Sequence, residues 1–197
     1  ALEGQAMFDS CQWLNEPKIW STDGRELSVT TDANTDFWRG TYYGFFCYIG
    51  HFFGAKVIGD FTAQIRVKGD FKELYDQAGL MVLIDDQRWI KAGVEVNDEA
   101  VVSSSVLTNG LSDWAVSSAL TRGNEFWLRI TVAQGSVRVQ ISEDYIVWPL
   151  VRLAAFPVAE HYLVGPMCCT PERRGLRLSF SEFTVGPALK KELHDLS

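Results

Sequence analysis

The chain has 197 residues, 47% apolar and 22% charged, with a formal net charge of −7. That length supports one substantial core, so a single domain over 1–197 is expected, with a tail from 187 onward. The acidic balance excludes an extended nucleic-acid surface and docking on anionic lipid, which both need basic patches.

The elements read in chain order as strands and turns. Asp23-Gly24 is the first turn signal. Thr35–His51, TDFWRGTYYGFFCYIGH, is a long loop in which rings, charges and glycines crowd together, as they do in binding surfaces. In Phe61–Lys68, Phe61, Ala63, Ile65 and Val67 alternate with polar residues, which predicts a strand with one buried face. Phe71–Tyr75 predicts one helical turn. Leu80–Ile84 is apolar on both faces and predicts a central strand. The next strand puts Trp89, Lys91, Glu95 and Asn97 on one outer face.

Asn97-Asp98, Asn109-Gly110 and Gln134-Gly135 are further turns. Phe126, Leu128, Ile130 and Val132 alternate with Trp127, Arg129 and Thr131. Val137, Val139 and Ile141 continue the pattern, as do Leu176, Leu178 and Phe180. The apolar phase slips between Phe180 and Phe183, which predicts a bulge. Leu189, Leu193 and Leu196 have helical spacing in the tail. Together these predict an all-β protein, an antiparallel β-sandwich of roughly a dozen strands with little helix. The expected core contains Phe61, Ile65, Val67, Leu128, Ile130, Val139, Leu178 and Phe180.

No segment reaches the roughly 18 continuous apolar residues of a membrane span. The first 17 residues carry no basic or apolar run of a signal peptide. Cys11, Cys47, Cys168 and Cys169 are too few and too unevenly placed for a disulfide scaffold, and a bridge between adjacent cysteines is strained. Free thiols and a cytoplasmic location are therefore expected.

Several motifs stand in order: WLNEP (Trp13–Pro17), TDFWRGTYYGF (Thr35–Phe45), GHFF (Gly50–Phe53), LYDQAGLMV (Leu74–Val82), WIKAGVE (Trp89–Glu95) and SDW (Ser112–Trp114). With them the chain resembles the "regulation of enolase" family over about residues 13–186. The resemblance implies a cytosolic sandwich of the concanavalin A-like lectin/glucanase jelly-roll type, tied to control of enolase levels. It implies no catalytic step.

Glycosidase chemistry needs two carboxyl groups roughly 5–5.5 Å or roughly 6.5–9.5 Å apart. In Glu95-Val96-Asn97-Asp98-Glu99, Glu95 and Asp98 face opposite sides, and Glu95 and Glu99 lie about 13 Å apart in an extended strand. A pair drawn from two strands, such as Glu95 with Asp76, stays open. Cys168 with His161 lacks the third group of a cysteine hydrolase. Neither a metal motif nor a phosphate loop is present, so no cofactor and no metal are expected.

For ligand recognition the candidates are Asp36, Trp38, Arg39, His51, Asp76, Gln77, Trp89, Lys91 and Glu95. Rings beside hydrogen-bonding groups suit a sugar, whose CH faces stack while its hydroxyls need partners. The same residues also read as scaffold: an Asp36–Arg39 pair in a buried loop, His51 on a backbone carbonyl, Asp76 and Gln77 tying a turn. The expected function is non-catalytic recognition of a carbohydrate or related small ligand. A sugar-active enzyme and a protein-interaction module using the aromatic loop are the alternatives. Nucleic acid and membranes are not expected partners.

Overall fold

The computed structural model describes residues 7–197. After a short 3-10 turn (Met7–Ser10) every regular element is a strand. In order these are β1 (Gln12–Leu14), β2 (Ile19–Thr22), β3 (Glu26–Thr30), β4 (Phe37–Arg39), β5 (Phe46–Tyr48) and β6 (His51–Ile58). Then come β7 (Phe61–Gly69), β8 (Gln77–Asp85), β9 (Arg88–Asn97), β10 (Ala100–Asn109) and β11 (Leu111–Ala119). The last are β12 (Glu125–Ala133), β13 (Ser136–Ser142), β14 (Leu150–Ala155), β15 (His161–Cys169) and β16 (Arg177–Gly186).

Two antiparallel seven-stranded sheets, β1-β6-β15-β8-β9-β10-β11 and β14-β13-β12-β7-β16-β3-β2, pack face to face as a jelly-roll sandwich. The predicted alternation fills the space between them. Phe61, Ile65, Val67, Leu128, Ile130, Val139, Leu178 and Phe180 all belong to the main core and are 4% exposed or less. The predicted turns close hairpins, with Gly24, Asp98, Gly110, Gln134 and Gly135 at positive φ. The predicted bulge is a register shift in β16 between Ser181 and Thr184, with Glu182 at φ 53°.

Three expectations need correction. Among the described residues sixteen strands form rather than about twelve, because the N-terminal region and the aromatic loop contribute short strands that lack a period-two signature. Glu73–Asp76 is a single turn closed by Asp76 N–H on Glu73 O at 3.0 Å, with no helix over Phe71–Tyr75. The tail is not helical either. Its backbone bonds to the second sheet and the β13–β14 connection instead: Arg138 donates to Lys191 O at 2.9 Å, and Trp148 N–H donates to Leu196 O at 2.7 Å. So short a helix would leave most of its end groups unsatisfied, and the sheet supplies partners.

β8 lies in the middle of the first sheet and is buried on both faces, as its apolar run predicts. Its outer face is covered by the β4–β5 ribbon. Phe37, Trp38, Met81, Leu83, Trp89, Val106 and Met167 form a second apolar cluster there. This cover is what makes a pocket: the ribbon shields part of the sheet face and leaves a concavity beside itself.

All four cysteines are unbridged. Burial pushes the Cys168 and Cys169 thiols up, so they stay protonated. No helix among the described residues is long and apolar enough to cross a membrane.

Candidate functional site

A cavity of about 220 Å³ opens on the outer face of the first sheet, beside the ribbon. Its floor is β9. Lys91, Gly93 and Glu95 point the same way there because strand side chains alternate. Gly93 is bare for a reason: a Cβ built on it would lie 2.0 Å from Ala78 O. The glycine lets β8 and β9 approach and leaves the floor open between the two charged groups.

Lys91 is 4% exposed and would be costly to bury alone. It donates to Asp36 Oδ1 at 2.7 Å and to Gln77 Oε1 at 2.8 Å. Burial would lower its pKa, but the Asp36 carboxylate outweighs that and holds the ammonium above its ordinary value. Asp36 is fixed in turn by the Phe37 N–H at 2.9 Å. Glu95, also 4% exposed, accepts from Trp114 Nε1 at 2.8 Å. Burial raises its pKa, offset in part by Ser104, Trp114 and Lys91. The floor thus holds one neutralised ion pair and one carboxyl group that burial drives toward the protonated form.

The walls are aromatic. Trp38 meets Trp114 edge-on at 6.4 Å and Tyr43 at 5.8 Å, and Tyr75 meets Trp114 at 6.2 Å. Phe45, Val106, Met167, Pro171 and Glu172 complete the lining. Tyr75 sits at φ 63°, an uncommon state for a bulky residue, and Val96 O anchors its N–H at 2.8 Å. Such strain clusters at binding sites.

Five of the nine candidates come together here: Asp36, Trp38, Gln77, Lys91 and Glu95. The other four do not line the cavity. Arg39 donates to Gly110 O at 2.9 Å and lies over Phe46, so it ties β4 to the β10–β11 turn and makes no pair with Asp36. His51 is 2% exposed. Its Nε2 accepts from Asp32 N–H at 3.0 Å and its Nδ1 lies 2.7 Å from Asn15 O, so it clamps two backbone segments.

Asp76 is fully buried, paired with Arg173 and bonded by the Lys72 and Glu73 N–H groups. Trp89 is fully buried under Phe37 and donates to Asp86 O at 3.2 Å. It shares the face of Lys91 as predicted, but the ribbon covers it, so it is core and not a platform. The Glu95–Asp76 pairing left open by the sequence does not form, since Asp76 is buried on Arg173.

Tyr43, Phe45, Tyr75 and Trp114 were readable as rings within the motifs, yet nothing local says which of many rings face a cavity. Glu172 has no sequence signal. Among the described residues no cluster of three or more histidines, cysteines or acids is arranged to hold a metal.

The profile of a family described as "Protein of unknown function (DUF1349)" matches residues 13–188. The chain belongs to this family. Within the range of the DUF1349 match lie both the Lys91–Asp36 pair and Glu95. "Regulation of enolase protein 1" of Saccharomyces cerevisiae is 54% identical over 187 residues, which are 94% of this chain and 93% of that protein. That agrees with the resemblance carried by the motifs. A crystal structure of a functionally unknown protein from the same yeast superposes with a TM-score of 0.90 at 50% identity, covering 92% of this chain and 98% of that one. An engineered GH43 glycoside hydrolase matches with a TM-score of 0.65 at 14% identity, over 91% of this chain but 38% of that enzyme. The last likeness shows a shared fold alone.

Proposed function

We propose that this DUF1349 protein is a non-catalytic binder of a carbohydrate or related small ligand, seated in the pocket over β9. The observation that carries the reading is the convergence of Lys91, Gln77 and Glu95 on a floor walled by Trp38, Tyr43, Tyr75 and Trp114. Rings take the CH face of a sugar, and the floor groups take its hydroxyls. The volume, about 220 Å³, is below the roughly 300 Å³ at which drug-sized sites begin, and suits about one sugar ring. The name of the yeast relative supports a role in regulating enolase, and so in carbohydrate metabolism. Four unbridged cysteines support a cytoplasmic location.

Titration calorimetry with a panel of monosaccharides tests the reading. Saturable binding that falls in Trp38→Ala supports it. Heats no larger than dilution across the panel count against it.

A second reading has one observation of its own. Two carboxyl groups from different elements, Asp36 and Glu95, line the same pocket, and only one of them is paired with a cation. Pairs whose environments differ in this way serve as acid and base in sugar hydrolysis. Release of phenol from aryl glycosides, lost in Glu95→Gln, would favour that enzyme over the binder.

A further inference from the structure

The charge pattern of the pocket narrows its ligand. Lys91 is the cation of the floor, and its hydrogen bonds already go to Asp36 and Gln77 at 2.7 and 2.8 Å. Among the described residues an anionic group entering the pocket finds no free cation there, and it meets Asp36 and Glu172 as well. Glu95 is in the opposite position. It is 4% exposed, it lines the cavity, and among the described residues it has no salt-bridge partner. The groups hydrogen-bonded to it, the Trp114 indole at 2.8 Å and the Ser104 hydroxyl, are neutral. Burial without a counter-cation disfavours the ionised carboxylate, and a cationic ligand seated beside it would stabilise that ionised form.

The walls point the same way. Tyr43, Tyr75 and Trp114 surround the space next to Glu95, with Trp38 edge-on to Trp114. Aromatic faces carry negative quadrupole density and attract ammonium groups, most strongly where water is excluded. Aromatic rings lining a cavity beside a carboxyl group are complementary to an alkylammonium.

We propose that the ligand is a hydroxylated amine of the amino-sugar class, with its ammonium against the Glu95 carboxylate and its ring on the aromatic wall formed by Trp38, Tyr43, Tyr75 and Trp114. This rests on the reading of the pocket as a sugar site. Its hydroxyls go to the Lys91–Gln77 side of the floor, and its CH face lies on the indoles. A neutral sugar makes the same ring contacts and lacks the charged one. A phosphorylated sugar adds a charge that the pocket repels.

Calorimetry at about pH 6, where the amine is protonated, tests this with glucosamine, glucose and glucose phosphate. Glucosamine is expected to bind roughly ten-fold or more tighter than glucose, the worth of a hydrogen bond to a charged group. Glucose phosphate is expected to bind more weakly than glucose. In Glu95→Gln, which keeps an acceptor for Trp114, the ratio of glucosamine to glucose affinity should fall to about one. Equal affinities for glucosamine and glucose, or a preference that survives in Glu95→Gln, would overturn the amino-sugar assignment and leave the sugar site standing. Absence of binding by all three overturns both.

Discussion

Lys91 Nζ lies 2.7 Å from Asp36 Oδ1, so a residue on the sheet floor and a residue at the start of the aromatic ribbon form one buried ion pair. The pair spans 55 positions in sequence and pins the ribbon over the sheet. Breaking one side leaves the other charge buried. Asp36→Ala should destabilise the protein by about 3–5 kcal/mol, the usual cost of orphaning one member of a buried pair. Chemical denaturation checks this, and Lys91→Met with Asp36→Ala together should recover much of the loss.

Trp89 lies wholly inside the second cluster. Trp89→Ala is therefore expected to cost about 3–5 kcal/mol through lost burial and a cavity. Ile130→Ala in the main core should cost about 2–5 kcal/mol. The midpoint of a urea curve reads both, and an unchanged midpoint for Trp89→Ala would return that ring to the surface.

Glu95 gives a pH signature. Burial raises its pKa from the ordinary 4.5, so the folded state holds the proton where the unfolded chain has lost it. The resulting stability is fully present below the ordinary value and is lost as pH rises through the raised one. Glu95→Gln lacks that loss. Thermal melts of the two proteins should converge in acid and separate above about pH 4.5 in favour of the variant. A separation that grows toward acid would reverse the sign.

Tyr75 holds a left-handed backbone at the pocket wall, φ 63°. Tyr75→Gly removes about 1–2 kcal/mol of backbone cost but also a ring worth about 0.5–1.5 kcal/mol against its aromatic neighbours. Melting temperature should change little, while affinity for a bound sugar falls. Calorimetry on the variant separates the two effects.

Much of the sandwich was legible because one-sided strands announce themselves by period. Ile65, Leu128 and Val139 were placed in the core from alternation, and the bulge at Glu182 from a slip in phase. The same rule placed Lys91 and Glu95 on one face. It cannot say whether that face is covered: Phe37, 52 positions earlier, lies over Trp89, which the alternation alone puts on the outer face. Asp76 failed for a similar reason. Its partner Arg173 is 97 positions away, and no local pattern announces that pair. His51 is claimed by two backbone segments, from Asn15 and Asp32, that only folding brings to it.

The central claim is that the pocket over β9 holds a sugar ring. Crystals soaked in saturating glucosamine test it most directly. Density for one ring in the cavity walled by Trp38, Tyr75 and Trp114, with a polar contact to Glu95, is the result expected. An empty pocket at saturating sugar, or a ring bound instead in the open groove beside Trp20 and Arg177 on the second sheet, would contradict it.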